Sequence, residues 1–282
     1  MERSHSGVQI RVPATANLMI DSTDRTSGAT ADNFIINKNN SILNGFFHRI
    51  AATEVVLDWG VPNISAALGN NTFSVEVATN IYTVTILDGF YTVEQLLNEL
   101  IVLLNAADVG VTFGLANTNP AAVYIKAGGV YTVRPGKLAS QLDLKPSADI
   151  NILGYRVVNP DLRAFTYLDF VSSQLTYNQE LKDATTAPSD KNVLLRWYFA
   201  LDDVGGLALD TYGFPILQGY KQFICRRIFP VPKQIRWNAA QPVGQLGFEV
   251  YGSDDRLVSA SVPLALSGNQ FDWLITLQIS EN

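Results

Sequence analysis

The sequence predicts a mainly β protein, a single jelly-roll β-sandwich with a small inserted α+β lobe. Three observations predict it. Short runs rich in Tyr, Phe, Val and Ile recur along the 282 residues, divided by turns bearing Gly, Asn, Asp or Pro. Only one segment carries a sustained helical periodicity, and it lies inside the chain. No internal repeat of fixed period is evident, which sets propellers and solenoids aside.

Residues 1–16 are small, polar and irregular, contain Pro13, and are expected to form an extended N-terminal arm with Arg3 and Arg11 as its cations. Asn17–Asp21 and Asn33–Asn37 are short strands joined by the loop STDRTSGATAD. Phe46–Trp59 is a long one. Period two puts Phe47, Ala51, Val55, Leu57 and Trp59 on its buried face, and His48, Glu54 and Asp58 on the other.

The texture changes near Asn71. Thr72–Ala78 and Ile81–Leu87 alternate around Thr79-Asn80 and predict a hairpin. Beyond Asp88-Gly89, Thr92 stands three residues before Gln95, so each side chain can bond the other's backbone N–H at a helix start. Val93, Leu96, Leu97, Leu100, Ile101 and Leu104 follow on one helical face. Strands at Val111–Leu115, Ala121–Ala127 and Val130–Val133, with a helical turn around Lys137–Leu142, complete a lobe over residues 71–148. The sandwich is then discontinuous, formed by 17–70 and 149–282. Its second part holds strands at Ile152–Val157, Phe165–Thr176, Val193–Leu201, Phe223–Phe229, Lys233–Trp237, Gln245–Tyr251 and Phe271–Ile279. With the N-terminal strands these suit a two-sheet jelly roll.

Charged residues make up 16% of the chain and hydrophobic ones 47%, with a mean hydropathy of +0.11. Average domains carry roughly 25% charge. The balance excludes a disordered chain and leaves neutral surface of the kind that partners cover. A net charge of −6 and a pI of about 4.9 argue against nucleic-acid binding by the whole chain. One stretch runs the other way: Lys221, Arg226, Arg227, Lys233 and Arg236 occur with no acid among them. It reads as a basic patch facing phosphate or acidic protein, or as strands whose polar face is basic. Cys225 is the only cysteine, which precludes an intrachain disulfide, and its apolar neighbours predict a buried thiol. MERSHSGVQI lacks the apolar segment of a signal peptide, and LLNELIVLLNA is too short and too broken to span a membrane. The Asn-x-Ser/Thr matches at Asn39, Asn63 and Asn70 read as Asn-rich turns.

No catalytic group emerges. His5 lies in the arm and His48 on a strand, neither with a nucleophile signature beside it. Metal-ligand spacings are absent, and Gly128-Gly129 and Gly205-Gly206 lack the Lys-Ser/Thr of a phosphate loop. Asp202-Asp203 and Asp254-Asp255 could be paired carboxylates of a hydrolase or ligands of a Ca²⁺-assisted lectin. Their Gly- and Ser-flanked contexts favour turns in which Asp caps its own backbone. Neither an enzyme nor a cofactor is expected.

Several motifs occur in an order that resembles one family. Asn17-Leu-Met-Ile-Asp-Ser-Thr-Asp-Arg25 precedes the Asn-Phe strand Asn33-Phe-Ile-Ile-Asn37. The long strand then ends in Val55-Val-Leu-Asp-Trp-Gly-Val-Pro-Asn63, and Asp88-Gly-Phe-Tyr-Thr-Val-Glu-Gln-Leu-Leu-Asn98 opens the helix. With Ser172-Ser-Gln-Leu-Thr176, these fragments resemble shell proteins of virophages, polinton-like viruses and related large DNA viruses. The resemblance spans roughly residues 17–180 and implies the penton, the minor capsid protein of the pentameric vertex. It implies a homopentamer in the virion, a neighbouring major capsid protein as partner, and packaged DNA as a weak contact of the basic stretch. The alternative is an outward-facing module of a virion or fibre that binds glycans or a receptor.

Overall fold

The computed structural model of the chain describes residues 15–37, 42, 49–107, 109, 111–115, 122–127, 131–144, 149–150, 155–157, 160–176, 193–199, 223–236, 243–262 and 271–281. In chain order these hold β1 (Thr15–Asp21), β2 (Ser27–Thr30), β3 (Asn33–Asn37), β4 (Arg49–Trp59), β5 (Thr72–Val77) and β6 (Asn80–Thr85). Helix α1 (Val93–Ala106) is followed by β7 (Val111–Leu115), β8 (Ala122–Ala127), β9 (Tyr131–Val133), α2 (Lys137–Gln141), β10 (Asp149–Ile150) and β11 (Tyr155–Val157). The rest comprises β12 (Tyr167–Val171), α3 (Ser173–Thr176), β13 (Val193–Tyr198), β14 (Phe223–Ile228), β15 (Gln234–Arg236), β16 (Gln245–Gly252), α4 (Val258–Ser261) and β17 (Phe271–Ser280).

The strand order identifies the architecture. One sheet runs β1-β17-β4-β14, with β15 continuing the β14 edge along β4; the other runs β13-β12-β16-β3-β2. Setting β2 and β15 aside, the eight strands β1, β3, β4, β12, β13, β14, β16 and β17 stand as first, eighth, third, sixth in one sheet. They stand as fifth, fourth, seventh, second in the other. Every pairing is antiparallel. This interleaving is the double Greek key of a jelly roll. Everything between β4 and β12 is one excursion from it.

Trp273 anchors the sandwich core. Its ring centroid lies 5.3 Å from that of Phe170 and 5.4 Å from those of Phe34 and Phe248, all four being buried. These three partners come from the sheet opposite β17, so the cluster joins the two layers. Buried at the centre, the indole N–H still needs an acceptor, and donates to the Ala31 carbonyl at 2.8 Å. Gly28 has φ +106°, and a Cβ there would meet the Asn33 oxygen at 2.4 Å; only glycine fits this irregular point of β2 against β3.

Two sequence expectations need correction. In β4 the register against β17 shifts between Thr276 and Leu277, which inserts one extra residue at Thr53. The bulge reverses the parity, so Ile50 and Ala52 join Val55, Leu57 and Trp59 in the inter-sheet core, while Ala51, buried as expected, lies on the opposite face of the strand. Strict period two cannot anticipate that. Phe47 and His48 lie outside the described residues. Second, the expected strand Phe165–Thr176 is interrupted: strand geometry ends at Val171, and a helical turn follows in which the Ser172 carbonyl accepts from the Thr176 hydroxyl at 2.7 Å.

The excursion has a core of its own. Val93, Leu96, Leu97, Leu100 and Leu104 of α1 pack with Phe73, Val75, Val84, Ile86, Tyr131 and Val133. The expected box closes α1: Gln95 N–H donates to Thr92 Oγ1 and Thr92 N–H to Gln95 Oε1, both at 3.1 Å. Two buried asparagines fasten the link that leaves β4. Asn63 Nδ2 donates to the Tyr91 carbonyl at 2.8 Å, while Tyr91 N–H donates to Asn63 Oδ1 at 2.9 Å. Asn70 Nδ2 donates to the Asn63 carbonyl at 2.7 Å and to Gln141 Oε1 at 2.8 Å.

Candidate interaction surfaces

The basic stretch occupies β14, the following turn and β15. Neighbours on a strand point to opposite faces, so Arg226 and Arg227 do not share one. Arg226 is exposed and ion-paired to Glu54 of β4, a contact that raises its pKa. Arg227 lies over the Trp197 ring at 4.4 Å and donates to the Tyr198 carbonyl at 3.0 Å. Lys233 donates to the Val193 carbonyl at 3.3 Å, and burial lowers its pKa. Arg227 and Lys233 thus tie the β14 edge to β13 of the opposite sheet. Arg236 stands in register with Arg49. Lys221, like Arg3 and Arg11 of the arm, lies outside the described residues.

Beside this edge the outward face of the second sheet carries an ion pair that neither residue announced. Asp169 on β12 sits opposite Arg196 on β13. Arg196 Nε and Nη2 donate to the two carboxylate oxygens at 2.6 and 2.7 Å, and its guanidinium lies 4.0 Å from the Tyr167 ring centroid. The carboxylate side chain is 2% exposed and the arginine 40%. The hydrogen bonds it donates to Asp169 raise the arginine pKa. Tyr251 completes the row, with burial and its hydrogen bond to Glu249 pushing the phenol up to about 12. A lone acid in TYLDFV and a lone base in VLLRWY were the available signal, because each interrupts an apolar strand.

On the excursion, a groove of about 490 Å³ runs along α1, lined by Phe90, Tyr91, Gln95, Asn98, Glu99 and Val102. It combines aromatic surface with carboxamides and a carboxylate. The remaining candidates are structural. Asp255 has φ +61°, and Asp254 closes the turn by accepting from Arg256 N–H at 3.3 Å and the Ser261 hydroxyl at 2.6 Å. Cys225 is buried. Asp202, Asp203, Gly205 and Gly206 lie outside the described residues. Among the described residues no three His, Cys, Asp or Glu side chains are grouped to hold a metal, and no helix is long and apolar enough to cross a membrane.

No family model matches the sequence, and no curated protein matches it. Solved structures do. The mavirus penton protein is similar with a TM-score of 0.53 at 11% identity, over 95% of this chain and 99% of that one. A chain in the 3.5 Å structure of the Sputnik virophage is similar with a TM-score of 0.48 at 10% identity, over 95% and 98%. The first likeness, spanning nearly both chains, shows a common fold. It agrees with the strand order above: a mainly β jelly roll, as the sequence led one to expect.

Proposed function

We propose that this chain is a structural capsid subunit that forms the pentameric vertex of an icosahedral virion. One observation carries the reading: the end-to-end likeness of fold to the mavirus penton protein. The physical character of the chain supports it. A vertex subunit needs a stiff sandwich and flanks of low charge, and a head-to-tail ring uses two different patches per copy. In this reading the residues before β1 are an arm reaching a neighbouring major capsid protein, β1–β4 with β12–β17 are the sandwich, and the excursion between β4 and β12 is an outward lobe. Its place is the virion, and its role is assembly rather than catalysis.

Size-exclusion chromatography with light scattering tests it. The expected mass is five times the 30.9-kDa subunit, with five-fold rings in electron micrographs. A chain that stays monomeric and never enters a particle refutes it. Removing residues 1–14, which precede β1, should spare folding and impair incorporation.

The groove along α1 favours a second reading, an outward glycan-binding module. Phe90 and Tyr91 offer faces for the C–H side of a sugar, and Gln95, Asn98 and Glu99 offer groups for its hydroxyls. A glycan array whose hits vanish in Tyr91→Ala would promote it.

A further inference from the structure

We propose that residues 8–12 of the N-terminal arm add as an antiparallel strand to the β1 edge of a neighbouring copy of this chain. β1 ends its sheet: it pairs with β17 alone, in unbroken register from Thr15 to Asp21. A sheet edge is a template for another strand, and proteins blunt it with charge, proline, bulges or a cover. The other three edges of the sandwich are blunted in these ways. Along β13, Arg227 and Lys233 from the opposite sheet occupy the Tyr198 and Val193 carbonyls. β14 is charged by Arg226 and Arg227. β2 is irregular, its register against β3 shifting between Ser27 and Thr30, around Gly28. β1 has none of these devices. TANLMID is regular, its one charge is its last residue, and Thr15, Ala16, Asn17 and Met19 are exposed. On its inward face Ile20 is buried, Leu18 is half-buried and Ala16 is exposed, so the cover of the core thins along the strand.

The arm supplies what this edge lacks. Val8, Ile10 and Val12 alternate with Gln9 and Arg11, a period-two pattern with one apolar face. Set antiparallel with Ile10 opposite Leu18, the segment lays Val8 beside Ile20 and Val12 beside Ala16. Its apolar face then extends the core over Leu18, while Gln9 and Arg11 fall outward beside Met19 and Asn17. Main-chain hydrogen bonds supply the attachment and the apolar row fixes the register.

Pro13 sends the segment to another copy. Thr15 is already in register with Ser280, so a return onto its own β1 must turn within the residues just before it. A two-residue turn over Pro13-Ala14 needs positive φ at its first position, which the proline ring forbids, and it pairs Val12 with the outward Thr15. A three-residue turn from Val12 places proline second, where it drives the residue before it out of the helical region that turn requires. The strand therefore leaves its own subunit. Donor segment and acceptor edge are different patches, so the contact is head-to-tail, as a five-membered ring requires. The exchange rests on the vertex reading only for the number of copies; the sandwich flanks could close a ring without it.

Thiol pairing tests it in the full chain, where the native Cys225 is buried. Gln9→Cys and Met19→Cys are placed in separate, co-expressed chains and oxidised, so that a bond between positions 9 and 19 can only join two copies. Mass spectrometry of the joined peptides should find that bond about tenfold more often than one between Gln9→Cys and Thr15→Cys, which lies out of register. Adding Ile10→Asp to the Gln9→Cys chain, ahead of β1, should abolish the bond and leave thermal melts unchanged. A single chain carrying both Gln9→Cys and Met19→Cys should give a ladder of covalent oligomers. An internally bonded monomer instead overturns the proposal, as does cross-linking indifferent to position or to Ile10→Asp. Five-fold rings without a 9–19 bond overturn it while leaving the vertex reading intact. A 9–19 bond between copies that never form such rings supports the exchange and refutes the vertex.

Discussion

Replacing Arg196 with Met strands a buried carboxylate. Asp169 is held by two charge-assisted hydrogen bonds of 2.6 and 2.7 Å, and its side chain is 2% exposed. Removing one partner of a buried pair costs about 3–5 kcal/mol, because the remaining charge has lost its solvent and its counter-charge together. The 40% exposure of Arg196 moderates this: once the guanidinium is gone, water reaches the carboxylate from that side. We therefore expect Arg196→Met to cost about 2–3 kcal/mol, including about 0.5–1 kcal/mol from the lost stack on Tyr167. Asp169→Leu, which leaves a half-exposed cation free to hydrate, should cost about 1 kcal/mol. The double variant replaces both ends with apolar groups and should return to within about 1 kcal/mol of wild type. Urea denaturation followed by tryptophan fluorescence measures all three. Trp59, Trp197 and Trp273 all belong to the sandwich core, so the signal reports the body that holds the pair. An Arg196→Met loss below about 0.5 kcal/mol, or a double variant as unstable as the two singles summed, refutes the reasoning.

Three more expectations follow from the same geometry. Trp273→Ala removes the hub between the sheets and should cost about 4 kcal/mol in the same denaturation, the range for an aromatic deleted from a packed core. Thr92→Ala opens the box on α1 and should cost about 1 kcal/mol, seen as faster amide exchange in α1 with β12, β16 and β17 unaffected. The third concerns acid. Burial works to raise the Asp161 pKa, but hydrogen bonds from Arg163 at 2.6 and 2.8 Å outweigh it and hold the value below the ordinary 3.8. A depressed folded-state pKa stabilises above the unfolded value and is lost as pH falls through the folded one. Thermal melts should therefore decline below about pH 4, and Asp161→Asn should flatten that decline; an unchanged profile counts against the assignment.

Much of this was legible in the sequence because local rules and tertiary structure agree. The Thr92–Gln95 spacing and the leucine face specify α1 without reference to anything distant, and the alternation in Gln245–Tyr251 and Phe271–Ile279 is the alternation of the two core strands β16 and β17. What stayed hidden depends on pairing. The bulge at Thr53 exists because β17 opposes β4 with one residue fewer, a fact about two segments more than two hundred positions apart. The Asp169–Arg196 pair depends on the register of β12 with β13. The basic stretch divides for a simpler reason: adjacent residues on a strand cannot share a face, and Arg226 and Arg227 are adjacent. That last consequence could have been drawn from the sequence alone.

The same bulge bears on the surface as well as on the core. Counting by twos from Val55, Leu57 and Trp59 puts Arg49 on the buried face and Ile50 on the outer one. The extra residue at Thr53 exchanges them, burying Ile50 and turning Arg49 outward while Asp58 keeps its place. A strand of regular period would have ended in a buried cation or lost its apolar continuity. One inserted residue therefore completes the sandwich core and, by the same change of parity, gives β4 an outward face with a basic end and an acidic one. Deleting Thr53 should undo both at once. If the deletion variant kept wild-type stability, the bulge would not be what sets the two faces of this strand.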